Sequence, residues 1–532
     1  MSLKSLAEAL EAKVDEVKQL GGVQAIDKQH AANKLTARER VDRFFDKDAA
    51  GKSTFVEYMM HAHHQSESPM MAGRKTPADG IVVGWGFVDG RKVAVIAYDF
   101  TVMAGTIGMI GEMKCSRFRD MVLKNRIPLV WLLDSAGARV QEAATSMFAG
   151  SGSMFYDQVM MSGVIPQIAA MCGPCAAGTA YVPGLADFVP MVRGTSSMAL
   201  AGPPLVKAAT GVDVTSEELG GYKVHTRESG VADCDVENDD ALLSVIKDYL
   251  SYMPSSCDEP APRLPITDPP EREEAAIYDC VPANPRSPME IQKVIQLIVD
   301  HGKTLEIKPH WGKAVITCFA RIGGRPIGIV ASNSKWMGGV LTNDPADKAA
   351  RFIELCDAFN IPLLFLQDTP GFMVGTKTEK EGIIRHGAKM LYAVSRATVP
   401  KLTVVVRKGY GAGYYVMCGK GYKPDLIVGW PNAEISVMGP EGAVNIAFRK
   451  QIEAAGADLA DPVAKKEAQD KTRAELVEQF RSMVSPFIPA AWTHIDDVID
   501  PKKTRKVIYD ALVMCDGKKV TLPPRKHGVM PV

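Results

Sequence analysis

The feature that most constrains the fold of this 532-residue chain is that its two halves repeat one another. "DGRKVAVIAYD" from Asp89 resembles "GGRPIGIVASN" from Gly323, matching Gly90 and Arg91 with Gly324 and Arg325. "IPLVWLLDSAG" from Ile127 resembles "IPLLFLQDTPG" from Ile361, matching Pro128 with Pro362 and Asp134 with Asp368. "VIPQI" from Val164 resembles "TVPKL" from Thr398, matching Pro166 with Pro400. All three pairs lie 234 residues apart. A fourth, "MALAGP" from Met198 and "SVMGP" from Ser436, matches Gly202 with Gly439 at 237, so about three residues are inserted in between. Four ordered matches at nearly constant spacing indicate an internal duplication.

Each repeat opens on a β-branched run bounded by Gly or Asp, "DGIVVGWGFVDGRKVAVIAYD" in the first, which reads as a hairpin. Apolar strands then alternate with helical stretches such as "GEMKCSRFRDMVLKNR" and "PADKAARFIELCDAFN". Buried strands alternating with helices give α/β layers with parallel strand pairs. Residues 254–274 hold six prolines among charged and small residues, which sustain neither a helix nor a central strand. The expected organisation is an amino-terminal domain over 1–255, a linker over 256–274 and a carboxy-terminal domain over 275–532.

With 62 basic against 62 acidic residues, the chain lacks the excess positive charge that nucleic acid or a polybasic membrane anchor would require. The stretch "MSLKSLAEALEAKVDEVKQL" is an amphipathic helix pattern without the apolar core of a signal peptide, and no run approaches the roughly 20 apolar residues of a membrane span. The cytoplasm is therefore the expected compartment, where ten scattered cysteines read as reduced thiols.

The motif "MCGPCAAGTAY" poses the sharpest chemical question. Cys172 and Cys175 form a C-x-x-C, yet nothing around them has the plan of a thioredoxin unit, and a zinc site lacks its other ligands. His61, His63 and His64 lie in a polar loop, either as ligands or, more commonly for such tracts, simply solvated. "GYGAGYYV" lacks the third glycine of a dinucleotide fingerprint, and the run Gly150 to Ser153 completes no nucleophile elbow. What remains is that the Pro-led strand of each repeat ends in small residues, "GPCAAGTAY" and "KGYGAGYYV". Free amides at a helix start beside such residues make an oxyanion hole for a thioester oxygen gaining enolate charge. Close helix–strand packing would demand the same small side chains; occurrence in both repeats favours the functional reading.

Long motifs throughout the chain resemble the carboxyltransferase β subunits of biotin-dependent acyl-CoA carboxylases, of the propionyl-CoA and methylcrotonyl-CoA type. They include "KLTARERVDRFFD" from Lys34, "DSAGARVQE" from Asp134, "SGVIPQIAAMCGPCAAGTAYVPGLADFV" from Ser162, "CDAFNIPLLFLQDTPGFMVGT" from Cys356, "GIIRHGAKMLYA" from Gly382 and "WPNAEISVMGPEGAV" from Trp430. The resemblance implies a tandem of two crotonase-like domains and a hexamer built as a dimer of trimers, with each site lying between two subunits. It implies an acyl-CoA in the first domain, its thioester oxygen held by the amides of Ala177 and Gly178, where Ala177 replaces a glycine common in relatives. It implies carboxybiotin at the second, its ureido oxygen held by the amides of Ala412 and Gly413. Gly137, Gly371 and Tyr415 are the implied substrate-binding positions. Tyr415 stands where propionyl-type relatives carry Asp, and is expected to reshape the acyl end of the pocket.

The implied chemistry needs few side chains: carbon dioxide leaves carboxybiotin in the pocket, biotin serves as its own base, and the acyl enolate takes up the carbon dioxide. No metal is implied. "EMKC" (Glu112 to Cys115) falls in a helical stretch rather than a biotinylated hairpin, so biotin carboxylase and a biotin carboxyl carrier are expected as separate subunits. Two rivals stay open: the same subunit of a biotin-dependent decarboxylase acting on methylmalonyl- or glutaconyl-type thioesters, and a crotonase-fold scaffold with dead sites.

Overall fold

The computed structural model describes residues 2–143 and 146–532. The chain divides between Ala261 and Pro262 into two compact units. In the first, β1 (Val56–Tyr58), β2 (Ile81–Val88), β3 (Arg91–Tyr98), β4 (Leu129–Ser135), β5 (Gln167–Ala176), β6 (Pro190–Val192), β7 (Ser197–Ala199) and β8 (Cys234–Val236) form one sheet. Its order is β1-β2-β3-β4-β5-β6-β8, with β7 on β5. In the second, β9 (Thr304–Ile307), β10 (Val315–Ile322), β11 (Arg325–Ser332), β12 (Leu363–Thr369), β13 (Lys401–Tyr410), β14 (Leu426–Gly429), β15 (Glu434–Ser436) and β16 (Asp497–Val498) run β9-β10-β11-β12-β13-β14-β16, with β15 on β13.

The sequence repeat is thus a structural one. The hairpin read from the β-branched run is β2–β3, pairing Ile81 with Tyr98 through Val88 with Arg91; its copy β10–β11 pairs Val315 with Ser332 through Ile322 with Arg325. From β3 and β11 onward every pairing is parallel. Strands β4 and β12 are buried along their whole length, as parallel strands covered on both faces must be. In the first unit, Phe118 and Val122 of helix Met109–Lys124 and Met154 and Met161 of helix Ser153–Met161 pack on Ile96, Trp131 and Met171. In the second, helices Ile291–Ile298 and Thr504–Met514 cover Ile329, Leu364 and Val404. Each such side chain contributes about 1.5–3 kcal/mol when fully buried. The residues inserted in the second copy fall after β13, and both Gly202 and Gly439 cap a helix that opens on proline, Pro203–Thr210 and Pro440–Ala447. Glu112 to Cys115 lie inside helix Met109–Lys124.

Candidate active site

In each unit the strand next to the sheet's middle runs directly into a helical turn. In the first, β5 enters the turn Ala177–Ala180 and then helix Tyr181–Leu185; in the second, β13 enters helix Gly411–Val416. Strand register makes the two turns equivalent, since Ser135 pairs with Cys175 and Thr369 with Gly409. Ala177 therefore matches Gly411, Gly178 matches Ala412, and Tyr181 matches Tyr415.

The first residue of each turn is left-handed, with φ 55° at Ala177 and 54° at Gly411. The backbone swings there from extended to helical, so the next amides start a helix with no carbonyl one turn back and sit at its positive end. Ala177, Gly178 and Ala412 are exposed, whereas Gly413 is buried. Gly413 stands where the first unit has Thr179, and a Cβ on it would come within 2.8 Å of Thr369 Cγ2 and 3.0 Å of Gly371 Cα. In the first turn the Thr179 hydroxyl instead donates to the Ala176 carbonyl at 2.6 Å.

Gly137 and Gly371 are likewise equivalent. Their φ angles of 95° and 114° are open to glycine and strained for other residues. Their amides donate to Ser135 Oγ and Thr369 Oγ1, 3.1 Å in both cases, and their carbonyls accept from Ile107 and Leu341. A Cβ on Gly137 would lie 2.8 Å from the Ala176 carbonyl oxygen, so this loop presses against the end of β5.

Beneath each turn lies a fully buried carboxylate, Asp134 or Asp368. Asp134 accepts from Lys34 Nζ at 2.7 Å, Gln29 Nε2 at 2.8 Å and Arg40 Nη1 at 3.2 Å, and Arg40 is itself anchored to Asp239. Asp368 accepts from Arg407 Nη2 at 2.7 Å, with Lys408 Nζ 3.6 Å away. A buried charge needs a partner, and the two units find theirs in different places. The first-unit counterpart of Arg407 is Gly173, where even a Cβ would lie 1.9 Å from Asp134 Oδ1. Its cations arrive from residues 34–40, a segment whose repeat counterpart would fall in the proline-rich linker.

Tyr415 is 52% exposed, in loose ring contact with Tyr414 and Tyr422. Just before the second turn, the Tyr410 hydroxyl donates to Glu434, which also accepts from Arg481 Nε at 2.8 Å; burial and that carboxylate push the phenol up. Cys172 and Cys175 are buried, and burial pushes both thiols up to about 12, leaving them protonated near neutrality. His61, His63 and His64 line a cavity of about 590 Å³ with Lys13, Arg74 and Lys75. Among the described residues no group of three or more His, Cys, Asp or Glu side chains is placed to hold a metal ion, and no helix is long and apolar enough to cross a membrane.

The sequence did not single out Gly411, Tyr181 or Phe155 as candidate site positions, although the structure puts all three at the turns, with Phe155 Cζ 3.6 Å from where a Cβ on Gly178 would lie. The signal for the first two was present: the 234-residue offset, applied to Ala177 and Tyr415, gives them directly.

Three comparisons fit this geometry. The family model described as carboxyl transferase domain matches residues 28–530. The chain is 43% identical over 523 residues to the methylmalonyl-CoA decarboxylase subunit alpha of Propionigenium modestum, covering 98% of both chains. It is 41% identical over 533 residues to the propionyl-CoA carboxylase carboxyltransferase subunit of Haloferax mediterranei, covering both entirely. Among solved structures it is similar to transcarboxylase 12S, described as a hexamer and a multienzyme core with methylmalonyl-coenzyme A and methylmalonic acid bound. That match has a TM-score of 0.93 at 40% identity and covers 100% of this chain and 99% of the other. The fold is accordingly the two-domain crotonase-like one.

Proposed function

The chain belongs to the carboxyl transferase family, and from that premise we propose that it moves a carboxyl group from biotin, carried on a separate subunit, to the α-carbon (or vinylogous γ-carbon) of an acyl-CoA. The observation that carries this reading is the duplicated strand-to-helix turn, which in each unit opens on a left-handed residue followed by small ones. One reaction with two oxygens that gain negative charge, on the thioester and on the ureido ring, needs two such sites.

In the first unit, the amides of Ala177 and Gly178 take the thioester oxygen and favour its enolate form. In the second, the amides of Ala412 and Gly413, one position further along the turn than the first unit's pair, take the ureido oxygen, following the left-handed Gly411 at the helix start. Ala412 is exposed, which leaves its face open to a flat ureido ring. The bound carboxylated ring supplies the carboxyl group and, once that has left, a base. Gly137 and Gly371 hold the neighbouring loops close to the turns, while Asp134 and Asp368, neutralised below, keep the strand ends fixed. Each well-placed amide contributes about 3 kcal/mol of barrier reduction.

The relatives' names suggest thioesters of propionyl or methylmalonyl size, and the hexamer of transcarboxylase 12S suggests six copies of the 57.5 kDa chain. A second reading, transfer from a methylmalonyl-type thioester to biotin in a decarboxylase, is favoured by the 43% identity to a methylmalonyl-CoA decarboxylase subunit. Reconstitution with a biotin carboxylase and its carrier, followed by a screen of acyl-CoAs with labelled carboxyl, tests both. Net carboxylation supports the first reading, and transfer only from the carboxylated thioester to the carrier supports the second. No transfer in either direction with any thioester would leave the dead-site scaffold. Ala412→Pro deletes one amide where proline is tolerated at a helix start, and should lower kcat by roughly 10²–10³-fold in a folded enzyme.

A further inference from the structure

The two turns are flanked by different side chains. In the first unit, helix Ser153–Met161 brings half-buried Phe155 over the turn: a Cβ on Gly178 would lie 3.6 Å from its Cζ. Tyr181, 51% exposed, meets Phe155 edge to face, with centroids 5.7 Å apart and planes at 82°. In the second unit, helix Ile383–Arg396 takes this place, and the offset that matches Pro166 with Pro400 puts Lys389 at the position of Phe155. Lys389 Nζ lies 3.0 Å from Asp347 Oδ2 and 3.3 Å from His386 Nδ1, and that nitrogen is itself 2.9 Å from Asp347. The first-unit counterparts of Asp347 and His386 are Met113 and Gly152, neither of which ionises. This second helix is also bound to its turn: a Cβ on Gly387 would lie 3.1 Å from the ring of Phe372, the residue after Gly371.

We propose that Phe155, backed by Tyr181, is the wall that the acyl chain meets at the Ala177–Gly178 turn, and that it sets the acyl length the enzyme accepts. The inference rests on the carboxyl-transfer reading above. An alkyl chain laid on an aromatic ring gains affinity by about fourfold per buried methylene. The same chain laid over the Lys389–Asp347 pair would strip water from charges and gain nothing. The difference at this one position thus directs the apolar substrate to the first unit.

The test uses the full chain reconstituted with its biotin-bearing partners, comparing kcat/KM for acetyl-, propionyl-, butyryl- and hexanoyl-CoA. Phe155→Ala should raise the hexanoyl-to-propionyl ratio about tenfold or more, with KM for the carboxylated carrier within about twofold of the parent. Phe155→Leu should keep most of the parent's order, and Phe155→Trp should shift it towards acetyl-CoA, which reads the same wall if the alanine variant fails to fold. Lys389→Met should leave the ratio unchanged. An unchanged acyl order in Phe155→Ala and Phe155→Trp, or a uniform fall for every thioester at unchanged Tm, overturns the inference while carboxyl transfer stands. An unaltered protein that transfers to no acyl-CoA overturns the carboxyl-transfer reading, and this inference with it.

Discussion

Ala177 shows how one backbone angle links stability to the candidate site. Its φ of 55° brings the Cβ against the following carbonyl, a conformation costing roughly 1–2 kcal/mol that its counterpart Gly411 avoids. Ala177→Gly should therefore stabilise the first unit by about 1 kcal/mol, and Gly411→Ala should destabilise the second by a similar amount, both read from urea midpoints. Gly137→Ala adds a 2.8 Å contact with the Ala176 carbonyl to a φ of 95°, and should cost on the order of 2–3 kcal/mol along with most of the activity. Cys175, buried with its thiol pushed up to about 12, sits beside Thr179 as a packing group, so Cys175→Ser should retain much of the activity; near-total loss would restore a role for the thiol. Tyr415→Asp puts a carboxylate at an exposed position beside the second turn. It should shift selectivity away from dicarboxylic and towards neutral acyl-CoAs, and an unchanged order of preference would remove Tyr415 from the pocket.

At the scale of elements, the duplication extends to buried charge. Lys114 on helix Met109–Lys124 donates to the carbonyls of Ala78 and Ile81, and Lys348 on helix Asn343–Ala358 donates to those of Lys308, Trp311 and Val315. Each pins a helix to the start of its unit's main hairpin. Burial pushes the two amines down, to about 8 and about 7. An amine depressed in the folded state opposes folding fully below its folded pKa, and the opposition fades as pH rises towards the unfolded value of about 10.4. Over roughly pH 7 to 10.4, Lys348 should therefore make stability rise with pH. Lys348→Met should flatten that slope and, at pH 9, cost about 2 kcal/mol for carbonyls left without a donor; parallel urea curves at pH 7 and 9 check both. The sequence displayed these helices and strands plainly, through apolar runs and turn residues. It gave no sign of the lysines' role, because an amphipathic helix carries lysines routinely and only packing determines which one is sealed inside.

For the molecule as a whole, duplication yields two similar turns with unlike surroundings. The first unit neutralises Asp134 with Lys34 and Arg40, about 100 residues upstream, whereas the second neutralises Asp368 with Arg407 from the neighbouring strand. Lys34→Met with Arg40→Met should thus destabilise the first unit alone. Two thermal transitions, with only one moved, would be the expected result. Asp368 keeps its own cation and should be unaffected.

The sequence by itself determined that one α/β unit is used twice, where its strands run, and that two of them end in small residues. Those properties are local: alternation of apolar and polar residues, prolines that start strands, and side chains too small to cover an amide. Only the tertiary structure decided that Ala177 and Gly411 are both left-handed, that Gly413 is buried against Gly371, and that Phe155 lies over Gly178 while Lys389 is paired with Asp347. Left-handed angles, strand register and buried ion pairs depend on neighbours far along the chain, as Arg40 does on Asp239, and no local pattern records them.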